Sequence, residues 1–148
     1  ALQEVIASPL PVGRLGNIDI LPNEAVVTCE TSLADLLGTT HIQFAPSSAA
    51  IDPSSSALLQ SVADAATTCP GTLRIEGHTD SMGSANANEL LGDARAEAVR
   101  DALIARGVPA ERLLAEGFGA RKPIDDNSTA EGRAHNRRIE IRVVRASD

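Results

Sequence analysis

The fold is decided by the stretch Ile75-Glu76-Gly77-His78-Thr79-Asp80-Ser81-Met82-Gly83-Ser84, which Arg95 follows a short way downstream. Apolar and polar residues alternate up to His78 and predict a buried strand, and the glycine and serine residues after Asp80 predict a loop. A long helical pattern then carries Arg95. The two charges therefore lie on the two sides of a strand-to-helix connection. This pair suits a ligand with both an ammonium and a carboxylate group, and it lacks the nucleophile of a reaction centre.

The composition of the chain fits one globular domain with an additional arm. The chain has 148 residues, of which 43% are hydrophobic and 1% aromatic, so aliphatic side chains must fill the core. Its net charge of −7 argues against nucleic acid as a partner. Seven basic residues fall within residues 121–145. They form either an anion-binding patch or a solvated strand and loop that pairs with neighbouring acids.

The two cysteines, Cys29 and Cys69, allow two interpretations. In a cytosolic protein they would be free thiols, whereas in an exported protein a pair tends to form a disulfide. Cys29 follows the β-like run 25–28, and Cys69 lies in a turn that ends a helix. A disulfide between such surface elements would close a loop of about 40 residues and stabilise the fold by roughly 4 kcal/mol.

The pattern along the chain predicts an α+β fold of order β-α-β-α-β-turn-β, with a mixed four-stranded sheet whose helices pack on one face. An N-terminal arm precedes it. The predicted elements are a helix at 29–38, a strand at 41–44, a helix from Pro53 to the stop at 70–71, a strand at 72–78, a helix ending at Arg106, a strand at 112–117, a helical turn at 131–136 and a strand at 138–144.

The start of the helix that carries Arg95 is left open by the sequence. If the helix begins near Gly92, Arg95 lies in its first turn, where free backbone N–H groups and the positive end of the helix dipole favour an anion. If it begins near Asn86, that contribution is absent. The predicted core face of this helix consists of Leu91, Ala94, Ala98, Ala102 and Leu103.

Many further motifs occur in order and at consistent spacing. They are Gly77-His78-Thr79-Asp80, Gly83-Ser84, Asn88, Ala94-Arg95-Ala96, Gly107-Val108, Gly117-Phe118-Gly119, Asn127, Glu131-Gly132-Arg133 and Asn136-Arg137-Arg138-Ile139-Glu140. With these motifs the chain resembles the OmpA-like peptidoglycan-binding domain over about residues 40–145. The resemblance implies a domain at 39–148, preceded at 1–38 by an arm or remnant of another module with a short helix.

The resemblance implies non-catalytic binding of peptidoglycan through the meso-diaminopimelate of its stem peptide, without a cofactor. Asp80 would take the ammonium of this amino acid, and Arg95 would take its carboxylate through two parallel N–H bonds. Further ligand contacts are expected at Thr79, Met82, Asn88 and Arg137.

The chain departs from the family pattern at two places. Many members carry an aspartate shortly after the phenylalanine of the first strand, whereas Phe44 is followed here by Ala45-Pro46, and Ser47 or Ser48 would have to replace its contacts. Gly92 stands where a serine is usual and is expected to be a weaker helix cap. The first departure favours a rival function, in which the fold is an envelope scaffold and the acidic N-terminal arm binds a protein partner.

The resemblance places the chain on the periplasmic side of the cell envelope, as part of an outer-membrane-associated protein. The cysteine pair and the acidic arm resemble a subgroup in which the domain follows other periplasmic modules. An enzyme is not expected, because Ser81 lacks the Gly-x-Ser-x-Gly context of a hydrolase. A metal site is not expected either, because His41, His78 and His135 are far apart in sequence.

Overall fold

The computed structural model describes residues 23–144, and those residues contain four α-helices and three strands. The elements are α1 (Asn23–Thr39), α2 (Ser56–Thr67), β1 (Leu73–His78), α3 (Ala85–Ala105), β2 (Leu113–Gly119), α4 (Ala130–Asn136) and β3 (Arg138–Val143). Residues 1–22 of the predicted arm lie outside the described residues. None of the helices within 23–144 has the length and hydropathy of a membrane span.

The strands form a mixed sheet of order β2-β1-β3, in which β1 runs parallel to β2 and antiparallel to β3. The prediction of a fourth strand at 41–44 is wrong, because within the described residues Phe44 makes only an isolated bridge to Ile51. The backbone of this segment bonds to itself instead. Ala45 N donates to Ala50 O at 2.9 Å, and Asp52 N donates to Gln43 O at 2.8 Å. These bonds turn the segment into a small hairpin beside the sheet.

Helix α1 begins earlier than predicted, at Asn23, and includes the run that looked β-like in the sequence. Its buried side chains are Val26, Cys29, Leu33 and Leu37, which share one helical face. This face packs against α2 and β3 and so joins α1 to the common core. Burial on that face outweighs the local β-propensity of the β-branched residues.

A disulfide joins Cys29 in α1 to Cys69 in the turn after α2. The two Cα atoms are 5.4 Å apart, and 40 positions separate the residues in sequence. The interpretation as a bridged pair is therefore confirmed, although Cys29 lies in a helix and not after a strand. The bridge ties the N-terminal helix to the rest of the core.

Helix α3 begins at Ala85, so the second of the two predicted starts holds. Ser84 caps it, and its Oγ accepts the N–H of Ala87 at 3.0 Å. Arg95 consequently lies in the helix interior, where the free N–H groups of the first turn do not reach it. Gly92 is also interior, so the prediction that it acts as a weak cap is wrong.

Small residues bring α3 unusually close to the sheet. A Cβ atom on Gly77 of β1 would lie 2.1 Å from the carbonyl oxygen of Gly92, and one on Gly117 of β2 would lie 2.3 Å from the backbone nitrogen of Asp93. The predicted core face of α3 is mostly wrong for the same reason. The residues it buries are Asn88, Gly92, Ala96, Val99 and Leu103. This backbone contact fixes the height of α3 above the end of β1, and with it the position of Arg95.

Candidate functional site

The six predicted ligand-binding residues all line one cleft beyond the end of β1, with a volume of about 670 Å³. They are Thr79, Asp80, Met82, Asn88, Arg95 and Arg137. The hairpin that replaces the predicted first strand forms another wall, through Phe44 and Ser47. The structure thus brings together segments that are far apart in sequence, while the ligand roles of these residues stay predictions.

Asp80 follows β1 directly, and both of its carboxylate oxygens are engaged. Oδ1 accepts the backbone N–H of Met82 at 3.0 Å, and Oδ2 accepts Nη1 of Arg137 at 2.6 Å. The Asp80 side chain is 13% exposed, and that of Arg137 is 46% exposed. The carboxylate is therefore held in a fixed orientation by the loop, and its cationic partner has room to move.

Arg95 reaches the cleft from the interior of α3. Its Nε donates to the backbone carbonyl of Ser48 at 2.8 Å, and its guanidinium lies over the Phe44 ring, 4.8 Å from the ring centre. These contacts fix the side chain on one edge and on one plane. The sequence indicated that Ser47 or Ser48 would replace the missing aspartate. The structure uses the carbonyl of Ser48 for Arg95, a contact that no side-chain pattern announces.

The surroundings of Arg95 disfavour the charged form of its guanidinium. Burial lowers the pKa of its guanidinium, the nearby charge of Arg137 lowers it further, and the carboxylate of Asp80 acts in the opposite direction. Arg95 still carries its positive charge at neutral pH, because an arginine titrates far above it. Asp80 is the only carboxylate among the described residues that line the cleft, against two guanidiniums. The cleft therefore has an excess of positive charge.

A network of amide side chains holds the loop that carries Asp80. Asn88 Nδ2 donates to Met82 O at 3.1 Å, and Asn127 Oδ1 accepts the N–H of Ser81 at 3.3 Å. The fully buried Asn136 donates to Asn127 Oδ1 at 2.9 Å and so holds it in place. Asn127 and Asn136 belong to the recognised motifs, but their spacing in sequence gave no sign of this positioning role.

A second polar cluster is formed by side chains of β1 and of its antiparallel neighbour β3. Glu76, His78 and Glu140 offer ligand atoms within 4.8 Å of one another, which is a spacing that a metal ion can use. The two carboxylates already accept hydrogen bonds from arginines, however, and these are Arg74, Arg138 and Arg142. We interpret the cluster as an ion-pair network, because a dication would have to compete with three guanidiniums.

This network keeps Glu76 ionised although the side chain is 2% exposed. Burial raises the pKa of its carboxyl, but hydrogen bonds from His78 and Arg74 and the charge of Arg142 outweigh burial, so the pKa lies below its usual value. Nε2 of His78 lies 3.0 Å from Oε1 of Glu76. The imidazole also stacks on the ring of Phe118, with ring centres 5.1 Å apart. The cluster thereby stiffens the end of β1, next to Thr79 and Asp80.

A groove of about 460 Å³ separates α1 from the outer edge of β3. Its charged rim includes Arg138, Glu140 and Arg142, which pair with one another. The described lining of this groove has two carboxylates and two arginines, whereas that of the cleft at Asp80 has one carboxylate and two arginines. The cleft is therefore the better candidate for binding a zwitterion.

The OmpA family matches residues 43–137 of this chain. The chain belongs to the OmpA family. This membership confirms the predicted family. All six residues of the candidate site lie inside the matched range.

Relatives of known name cover the same part of the chain. The probable lipoprotein YiaD of Escherichia coli K12 is 42% identical over 68% of this chain and 47% of its own length. The peptidoglycan-binding protein ArfA of Mycobacterium bovis is 42% identical over 69% of this chain and 32% of its own length. The chain thus spans half or less of the length of these relatives.

Among solved structures, the cell wall anchor of the T6SS from Pseudomonas aeruginosa superposes with a TM-score of 0.64 at 30% identity. The match covers 78% of this chain and 99% of that one. The fold described above is therefore also that of this separately solved structure.

Proposed function

We propose that this domain binds peptidoglycan non-covalently and so anchors an envelope protein to the cell wall. The observation that carries the proposal is the cleft beyond the end of β1, whose lining includes both Asp80 and Arg95. The names of two similar proteins, a peptidoglycan-binding protein and a cell wall anchor, support it. A relative is named as a probable lipoprotein. This name supports a location on the periplasmic side of the cell envelope, as part of an outer-membrane-associated protein.

The ligand that the cleft fits best is the free amino acid centre of meso-diaminopimelate in the stem peptide. The ammonium of that centre binds the Asp80 carboxylate, and its carboxylate binds the guanidinium of Arg95. Arg95 offers its Nη atoms for this purpose, because its Nε is already engaged by Ser48 O. Thr79, Asn88 and Met82 shape the wall between the two charges.

The affinity for one such centre is expected to be modest, in the range of about micromolar to millimolar. Tethering does not require more, since the cell wall repeats its ligand densely and several weak contacts act together.

Binding to purified sacculi and NMR titration with meso-diaminopimelate test the proposal. Asp80→Asn and Arg95→Gln each remove one partner of a charged hydrogen bond, so each should weaken binding about tenfold or more. Matched controls are Asp101→Asn, at an exposed position of α3, and Arg106→Gln, at the far end of the same helix. These controls should sediment with sacculi like the parent.

Folded Asp80→Asn and Arg95→Gln variants that bind sacculi like the parent would overturn the proposal. Chemical shift changes should be confined to residues 78–95, the neighbourhood of Arg137 and the hairpin wall at residues 44–48. If the domain showed no change at millimolar ligand, the rival function would be favoured, in which the fold is a scaffold and the N-terminal arm binds a protein partner.

A further inference from the structure

Arg137 already pairs with Asp80, the carboxylate to which the proposed function assigns the ligand's ammonium. In this structure Oδ2 of Asp80 accepts Nη1 of Arg137 at 2.6 Å, and Oδ1 accepts the N–H of Met82. An ammonium that approaches Asp80 therefore meets an acceptor that is already paired. Either it shares the carboxylate with Arg137 or it takes the place of Arg137.

Sharing is unfavourable because it leaves three cations in a cleft with two carboxylates, one from Asp80 and one from the ligand. Arg95 and Arg137 already repel each other, which is one cause of the lowered pKa of Arg95. A ligand ammonium beside them adds a third positive charge, and the ligand carboxylate on Arg95 offsets only one of the three. Asp80 offsets a second, so one positive charge stays unpaired.

Arg137 has the freedom to leave Asp80. It is the residue between α4 and β3, and its side chain is 46% exposed, so it can turn without opening the core. Among the described residues that line the cleft, Asp80 is the single carboxylate, and Ala45-Pro46 follow Phe44 where many family members carry an aspartate. The anion that completes the set must come from the ligand.

We propose that Arg137 is an exchangeable counter-ion, which the ligand's ammonium displaces from Asp80 and which then binds a second carboxylate of the ligand. This inference rests on the proposed function. The cleft then recognises one ammonium and two carboxylates, with Asp80, Arg95 and Arg137 taking one group each. In a stem peptide the second carboxylate is the one on the acylated centre of diaminopimelate, which is free only when the peptide ends there. Amidation or extension of that carboxylate weakens binding.

Two small probes separate this role from a purely structural one. The first is meso-diaminopimelate acetylated on one amine, which carries one ammonium and two carboxylates. The second is the same molecule with the carboxylate of the acetylated centre converted to an amide. The parent should bind the first probe about tenfold more tightly than the second, because only the first pairs Arg137.

Arg137→Gln should act in opposite directions on the two probes. It should weaken binding of the dicarboxylate about tenfold, because the partner of the second carboxylate is gone. It should leave binding of the amide unchanged or tighten it, because Asp80 no longer has an internal competitor. Arg137→Lys keeps the charge and should restore part of the preference, and Arg106→Gln should alter neither affinity. Thermal unfolding of each variant checks that it is folded.

Three results overturn the inference. An equal loss for both probes in Arg137→Gln would mean that Arg137 only orients Asp80. Equal affinity of the parent for both probes would mean that the second carboxylate is not recognised. Failure of both probes to bind, together with sacculus binding that does not respond to Asp80→Asn, would remove the proposed function and this inference with it. A loss of both probes in Asp80→Asn alone leaves the proposed function standing, so the two failures are distinguishable.

Discussion

The close contact between β1 and α3 predicts a large effect from the smallest side chain. Gly77→Ala places a Cβ atom 2.1 Å from the carbonyl oxygen of Gly92, whereas ordinary contacts of this kind begin at 3.4 Å. Strand and helix must therefore separate locally by about 1.3 Å, the difference between these distances. The obstacle is backbone, so no side chain can turn away to relieve it.

The magnitude follows from two opposing terms. Overpacking of a rigid core costs about 3 kcal/mol or more when backbone has to move. Alanine loses less conformational entropy than glycine when the strand forms, which stabilises the variant by about 0.5–1 kcal/mol. The net loss of unfolding free energy is about 2 kcal/mol, which lowers the melting temperature by about 4–8 °C for a chain of this size.

Gly38→Ala is the matched control. A Cβ atom on Gly38 meets nothing within 4 Å, and the residue lies near the end of α1. This substitution should raise stability by up to about 1 kcal/mol, because alanine is the better helix former. Thermal unfolding followed by circular dichroism measures both variants.

The same displacement should be visible at the cleft. Helix α3 carries Arg95, so Gly77→Ala should weaken binding of meso-diaminopimelate while Gly38→Ala leaves it unchanged. If Gly77→Ala melts at or above the temperature of the parent, the helix does not rest on this glycine and the reasoning is refuted. The affinity would then have no reason to differ from that of the control.

Three further predictions concern the supports of the cleft. Replacement of both Cys29 and Cys69 by alanine should cost about 4 kcal/mol, as expected for opening a loop of 40 residues, and leave ligand affinity intact; a change in melting temperature below about 4 °C would argue against this loop-entropy estimate. Glu76, whose pKa is lowered by His78 and neighbouring arginines despite burial, should stabilise the fold above its unfolded pKa of about 4.3 and lose that contribution as the pH falls through its lower folded pKa. The melting temperatures of the parent and Glu76→Gln should therefore converge as the pH falls below about 4.3, and a constant difference would contradict the assignment. Asn136→Ala should destabilise the fold by about 3 kcal/mol, because the buried Asn136 side chain bonds to Ile124, Asp125 and Asn127, and it should also weaken ligand binding, because Asn127 holds the Asp80 loop; unchanged binding in a folded variant would show that the loop does not depend on it.

Much of the fold could be predicted because it is written in local patterns. Strands β1 and β3 were found from alternation, and α2 from its apolar face and the Pro70-Gly71 stop. The errors fall where tertiary contacts override such patterns. The segment 41–44 alternates like a strand, yet its backbone bonds close a hairpin. The core face of α3 was misjudged because glycine and alanine, and not the larger Leu91, make the closest approach to the sheet.

Periodicity and motifs within short stretches predict the order of the helices and of strands β1 to β3, the family, and the two charges at Asp80 and Arg95. Only the tertiary structure decided which groups hold those charges. Arg137 reaches Asp80 across 57 positions, and Ser48 meets Arg95 across 47. A hydrogen bond or an ion pair forms only when the donor–acceptor distance between two elements is correct to within a few tenths of an ångström. Local patterns set the elements, but the packing of α3 on the glycines of the sheet sets those distances. The stretch Gly77-His78-Thr79-Asp80 therefore contributes in two ways. Gly77 allows α3 to pack closely on the sheet, and Asp80 supplies the carboxylate that pairs with Arg137 in the resulting cleft.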